Sequence, residues 1–199
     1  MTDTITVKTL RGRDMLPFLP ELARLRITVF REYPYLYDGD LAYEQHYLQT
    51  YAASANSLIV LALDNGAVIG AASGIYMPEA DEAVKKEFLA AGYELAEWFY
   101  HGESVLLAPY RGQGLGVRFF AERERFARDL NCKAAAFCGV VRPAEHPQKP
   151  PGYQSLHDFW RHRGYTPLDL VCHFSWKEVG AACETAHPLS FWHKELTHA

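Results

Sequence analysis

A mixed α/β fold, with a sheet made of hairpins and one crossover and helices flanking it, is predicted by three features of the chain. Two apolar runs, "SLIVLAL" and "AVIGAASGIY", flank Asp64-Asn65-Gly66, and Asn-Gly between apolar runs is the strongest short-range hairpin signal. A further apolar run, "EWFYHGESVLLAP", leads into Arg111-Gly112-Gln113-Gly114-Leu115-Gly116 and then an amphipathic stretch, which reads as strand, glycine turn and helix. After that helix "CKAAAFCGVV" reads as another strand, supplying the crossover.

The remaining elements follow in chain order. "TITVKTL" alternates as a short strand does, and from Met15 to Phe30 the residues Leu19, Leu22, Ala23, Leu25, Arg26 and Val29 recur close to helical spacing. "YPYLYDGD" reads as a loop closed by Asp38, Gly39 and Asp40, and "LAYEQHYLQTYAAS" as a second helix. Pro78 and Glu79 open an acidic stretch that turns basic at Lys85 and Lys86 before Gly92, which predicts an inserted helix at about 79–91. Within the strand that enters the glycine turn, Gly102 breaks the pattern as a bulge would. In the helix after the turn, Phe119, Phe120, Phe126, Ala127 and Leu130 share one face, with Arg118, Glu122, Arg125 and Asp129 on the other. A Pro-rich loop from Pro143 to Gly152, a helix around "SLHDFWRHRG" and "DLVCHFSW" as a last strand complete the order, leaving about 178–199 as a C-terminal extension.

Length and composition narrow the function classes. The 199 residues fit a single domain, 1–199, with no internal repeat or low-complexity tract. No apolar stretch is long enough to span a bilayer and the N-terminus lacks signal-peptide character, so a cytoplasmic protein without a membrane role is expected. A net charge of -4 argues against nucleic acid as a partner. The four cysteines form no C-x-x-C pair, and the nine histidines form no ligand cluster, so neither a disulfide scaffold nor a metal is expected.

The glycine turn carries the chemistry. Amide groups at the start of a helix, freed of neighbouring Cβ atoms, form a cradle for phosphate. No Lys-Ser/Thr follows the glycines, which excludes a Walker loop, and the spacing departs from the Rossmann fingerprint, which disfavours a nucleotide-binding oxidoreductase.

"LLAPYRGQGLG" resembles the acyl-CoA-binding motif of the GNAT superfamily of N-acyltransferases, Arg/Gln-x-x-Gly-x-Gly/Ala between a bulged strand and a helix, with Arg111, Gly114 and Gly116 at its fixed positions. The resemblance implies a mixed, mostly antiparallel central sheet flanked by helices, with a β-bulge before the CoA-binding turn, over roughly residues 4–177. It implies that amides of Gly112, Gln113, Gly114, Leu115, Gly116 and Val117 bind the CoA pyrophosphate and that Leu106 and Leu107 line pantetheine. The bulge, within Gly102 to Val105, would aim a backbone N–H at the thioester carbonyl.

"FWRHRGY" is similar to a second family landmark, but Trp160 stands where the family often has a tyrosine that protonates the leaving thiolate, and Tyr153 where it often has asparagine. An indole N–H is no acid of this kind, so Tyr153, His157, Tyr165 or a water is left for that role. Glu103, beside the expected bulge, is the candidate base, with Glu97 and His101 behind it. Tyr33, Tyr35, Tyr37, Asp38 and Asp40 lie where the family's first helices wall the acceptor site and suit a cationic or aromatic amine; Arg142 offers a carboxylate contact. A covalent route through Cys138 is disfavoured by its apolar flanks. The expected function is transfer of an acetyl or other short acyl group from acyl-CoA, with acetyl-CoA as co-substrate, to a primary amine of a small molecule or peptide by direct attack. A non-catalytic acyl-CoA-binding sensor is the alternative, and a homodimer is one option for assembly.

Overall fold

The computed structural model describes residues 5–197. Seven strands form one sheet in the order β1-β2-β3-β4-β5-β7-β6: β1 (Thr6–Leu10), β2 (Ser57–Asp64), β3 (Ala67–Tyr76), β4 (Trp98–Leu106), β5 (Ala134–Val140), β6 (Thr166–Lys177) and β7 (Glu184–Glu195). Every adjacent pair is antiparallel except β4 and β5. That parallel pair needs a crossover, and α4 (Leu115–Asp129) supplies it. The mixed, mostly antiparallel sheet expected from the sequence is the one observed.

Local chemistry explains the elements. Asn65 and Gly66 both have positive φ, 47° and 86°, the primed turn whose twist matches a hairpin. The helix expected from Met15 starts later: Gly12–Phe18 winds as a 3-10 segment around Pro17, and α1 (Leu19–Phe30) begins with proline in its first turn, where a missing N–H costs nothing. Asp40 caps α2 (Leu41–Ala53) through the Tyr43 amide at 2.8 Å. The inserted helix is α3 (Glu82–Ala90), shorter than expected because Met77–Glu79 forms a separate 3-10 turn and Asp81 is the cap. A short α5 (His157–His162) precedes β6.

The expected last strand is not the last. Beyond it, within the expected extension, β7 runs between β5 and β6, pairing Cys138 with Phe191 and Cys172 with Leu189. Its buried Leu189, Phe191 and Trp192 alternate with polar residues too loosely at "ETAHPLSFWHKE" for the pattern alone to identify a strand.

Helices cover both faces of the sheet. Leu22 and Leu25 of α1, Leu48 of α2 and Phe88 of α3 join the core on one face, and Leu115, Phe119 and Phe126 of α4 join that on the other. Two departures from regular pairing prepare the site. Opposite β3, Ala72 faces Ser104 and Gly74 faces His101, so Gly102 and Glu103 together oppose Ser73: a bulge on β4, as expected. On its other edge β4 pairs with β5 only over Trp98–Tyr100, opposite Ala134–Ala136, and beyond that the two strands part.

Candidate active site

The glycine turn is built by backbone conformation. Gly112 and Gly114 have φ of 78° and 80°, and Gly114 caps α4 in the left-handed region. No side chain caps this helix end and no acidic residue lies in its first turn, so its leading amides keep an open, electropositive face. A Cβ at Gly116 would stand 3.2 Å from the Phe159 ring, so that glycine is a matter of space. The Arg111 guanidinium braces the turn, donating from Nε to the Leu106 carbonyl at 3.0 Å and pairing with Glu32 at 2.8 Å.

The bulge is pinned from below by Arg123 of α4, which is 1% exposed. Its Nη1 donates to the carbonyls of Ser73 (3.2 Å) and Glu103 (3.1 Å), its Nη2 to Ser104 Oγ (2.8 Å) and its Nε to the Phe119 carbonyl (3.2 Å). Burial pulls its pKa down to about 10. Gly102 is required here, since a Cβ would lie 2.1 Å from Tyr51 Oη and 2.5 Å from Ser73 Oγ. Above the bulge, β4 has no strand partner among the described residues on the side facing β5, an edge that an extended ligand can join by main-chain hydrogen bonds.

Two cavities meet at this edge. One, of about 760 Å³, reaches from Gly116 and Phe159 beside the glycine turn to the bulge. The other, of about 620 Å³, opens on the opposite side between α2, the 31–40 loop and β6. Phe30, Tyr35, Gly102, Glu103 and Cys138 line both. A buried ion cluster stands at the junction: Arg26 pairs with Glu44 through Nε and with Glu103 through Nη1 at 2.8 Å, and its guanidinium lies over the Tyr47 ring, 4.4 Å from the centroid. Tyr47 Oη donates to Glu103 at 3.4 Å and lies 3.0 Å from Tyr51 Oη. Burial and neighbouring charge push both phenols well above the usual tyrosine range, so they remain protonated donors.

A bulged strand that leads into an uncapped glycine turn and a helix is the arrangement that the GNAT resemblance implied. The model of the acetyltransferase (GNAT) family matches residues 22–150. The chain belongs to the GNAT acetyltransferase family. Solved structures agree on the fold. Ribosomal-protein-alanine N-acetyltransferase from Brucella melitensis is 15% identical with a TM-score of 0.63, covering 96% of this chain and 99% of that one. An aminoglycoside 6'-N-acetyltransferase complexed with coenzyme A is 12% identical with a TM-score of 0.61, covering 98% of each chain. A PaiA N-acetyltransferase from Thermoplasma acidophilum, in complex with coenzyme A, is 11% identical with a TM-score of 0.57, covering 96% of this chain and 99% of that one. No curated protein matches the sequence closely enough to count as a relative. This acetyltransferase therefore uses acyl-CoA, with acetyl-CoA as its co-substrate. Among the described residues, no helix is long and apolar enough to cross a membrane and no group of side chains is arranged to hold a metal.

The acetyltransferase fold gathers only part of the set read from sequence. Glu103 sits at the cavity junction and Tyr153 lines the larger cavity, packed edge-on against Tyr33 with centroids 4.7 Å apart. Tyr165 is a correction. It lines neither cavity, is fully buried on the α4 side and donates its hydroxyl to Glu124 at 3.2 Å, because the chain turns back into β6 at that point. Glu97 pairs with Lys133 before β4 starts and also lines neither cavity. Tyr35, Tyr37 and Asp38 do wall the smaller cavity, with Asp38 held by Lys177 at 3.1 Å and Arg31 at 3.3 Å.

Arg142 is a second correction. It borders the larger cavity instead of the smaller, and its donors go to the chain itself: the carbonyls of Pro34 (2.7 Å) and Tyr35 (3.0 Å) and the Glu178 carboxylate (2.6 Å). It ties the 31–40 loop to the sheet. Cys138 differs from its apolar flanks as well: hydrogen bonds from Cys172 and from the Tyr100 hydroxyl, 3.2 Å away, hold its thiol below the usual range. Arg26, Glu44 and Arg123 were given no role by the sequence reading. A charge on an otherwise apolar helical stripe, Arg123 after Phe119 and Phe120 or Arg26 after Leu22 and Leu25, is the sign that would have found two of them.

Proposed function

We propose that this acetyltransferase moves the acetyl group of acetyl-CoA to the primary amine of a cationic small molecule or peptide, by direct attack in a ternary complex. The observation that carries the reading is the meeting of two cavities at Glu103. One approaches from the glycine turn and the other is walled by carboxylates and tyrosines. The amides from Gly112 to Val117, in the glycine turn and the start of α4, take the pyrophosphate, Leu106 and Leu107 flank pantetheine along the free edge of β4, and Arg111 steadies the turn. Acetyl-CoA enters along the larger cavity and the amine along the smaller.

The smaller cavity suits a cation. Among the described residues Asp38, Asp40, Asp81 and Glu184 line it together with Glu44 and Glu103, against only Arg26 and Lys177, and Tyr35, Tyr37 and Tyr43 also line it. An ammonium held there loses its proton to Glu103, attacks the thioester carbonyl polarised by bulge N–H groups, and expels the thiolate. Arg26 and Tyr47 fix the Glu103 carboxylate at the junction.

The test is thiol release from acetyl-CoA, followed with a chromogenic disulfide, across a panel of diamines, aminosugars, peptides and neutral aromatic amines. Turnover concentrated in the cationic amines supports the reading. A double variant Asp81→Asn, Glu184→Gln is expected to raise KM for those amines by about tenfold with little change in kcat, since each screened contact is worth a fraction of a kcal/mol to about 1. Tight CoA binding without thiol release for any amine would overturn it in favour of an acyl-CoA sensor. Cys138→Ser separates the direct route from a covalent one: retained turnover supports direct attack, and an acetylated Cys138 found by mass spectrometry refutes it.

A further inference from the structure

His101 stands on β4 immediately before the bulge, 1% exposed, and lines the larger cavity. Its ring packs against Phe99, Phe120 and Tyr165, with centroids 5.8, 5.6 and 6.0 Å away. Among the described residues neither Nδ1 nor Nε2 has a hydrogen-bond partner. Burial, then the nearby Arg123 and Lys194 charges, hold the ring well below the ordinary histidine range, so it is neutral and keeps one N–H. A buried imidazole without partners carries a free-energy cost, and a ligand that enters the cavity and meets the ring would relieve it.

We propose that His101 donates its ring N–H to the sulfur of the CoA thioester and stabilises the thiolate as it leaves. The inference rests on reading the larger cavity as the pantetheine channel. In the step itself the neutral amine, its ammonium proton already passed through Glu103 to solvent, forms the C–N bond and gives its second proton to the freed Glu103; the C–S bond breaks and its electron pair departs on sulfur. His101 remains neutral throughout, giving a hydrogen bond and no proton. A thiolate is a fair leaving group, so stabilising the charge that develops on sulfur lowers the barrier without a proton being given to it. Arg123 supports the same charge. It lines the cavity, is buried and has no carboxylate within 4.0 Å among the described residues. Trp160, which borders the same cavity, packs its ring on Phe137 and Trp192, with centroids 4.9 and 5.1 Å away, and presents no hydroxyl there.

Calorimetric titration with CoA and with desulfo-CoA, which lacks only the thiol, isolates the contact. Between pH 7 and pH 10, as the free CoA thiol ionises, the preference of wild type for CoA over desulfo-CoA is expected to grow to about tenfold or more, the range of a hydrogen bond to a charged group. His101→Phe, which suits the aromatic surroundings, is expected to lose most of that preference, and His101→Asn, which keeps an N–H donor, to recover part of it. In wild type, the protonated ring nitrogen of 15N-labelled His101 is expected to shift on adding CoA and to stay in place on adding desulfo-CoA, a readout that needs no variant to fold. An undiminished preference in His101→Phe, or equal nitrogen shifts with both ligands, would overturn the role of His101 alone. Failure of wild type to bind either ligand would overturn the pantetheine reading on which it rests.

Discussion

Arg26 and Arg123 each place a charge on the inward stripe of a helix, and each is tolerated because the bulged strand and its neighbours together supply what a buried guanidinium needs. Arg26 meets two carboxylates, Arg123 three carbonyls and a hydroxyl. Arg26→Met strands Glu44 and Glu103 without a counter-charge, a loss of about 3–5 kcal/mol by chemical denaturation. The Glu103→Gln variant keeps the volume and removes the proton acceptor; kcat for amine acetylation is expected to fall about 10²- to 10⁴-fold while the acetyl-CoA Kd stays near wild type. Histidines set the acid side of stability. His101 and His187 are both held below their ordinary pKa, chiefly by burial, so between about pH 6.5 and their lower folded values the unfolded chain binds more protons. Stability is therefore full above about pH 6.5 and falls as the pH drops through that window. Unfolding curves from pH 7 to 5 should show it, and in His101→Phe the acid slope should be shallower by up to about 1.4 kcal/mol per pH unit. None of these pairings was legible in the sequence. The charged stripe positions were visible, but a partner from another element is not.

At the scale of elements, β4 and the turn behind it concentrate the site into one stretch of chain. Gly102→Ala forces a Cβ against Tyr51 Oη and Ser73 Oγ, and overpacking at so tight a point is expected to cost about 1–3 kcal/mol and to straighten the bulge. Gly114→Asp combines a left-handed φ of 80° with a carboxylate in an anion cradle. The acetyl-CoA Kd is expected to rise by more than about tenfold, against a smaller change for Gly114→Ala, which shares only the strain. These features were legible because they are local: glycine at positive φ, Asn-Gly in a hairpin and a break in a strand declare themselves within a few residues. The start of α1 was misread because the helical spacing continues through residues that prolines wind as a 3-10 segment.

Across the whole molecule, the opening between β4 and β5 makes a channel of the sheet, and β7 holds the far side of it in place. β7 pairs along β5 from Ala134 to Val140 and along β6 nearly throughout, so a charge at its buried centre, Phe191→Asp, is expected to abolish folding. Ligand binding gives the global readout: at 100 times its Kd, acetyl-CoA should add about 2.7 kcal/mol to the unfolding free energy, seen as an upward Tm shift that NADH and ATP do not produce. The amino-acid sequence by itself determined the hairpin, the phosphate turn, the apolar stripes and, through the turn, the family. Each depends on backbone preference or periodicity, which neighbouring residues set. Only the tertiary structure decided that Tyr165 faces Glu124, that Arg142 ties a loop, that β7 divides β5 from β6, and that Arg26 and His101 line the two cavities that meet at Glu103. Those outcomes come from hydrogen bonds and packing between segments distant in the chain, and periodicity carries no information about which segments meet.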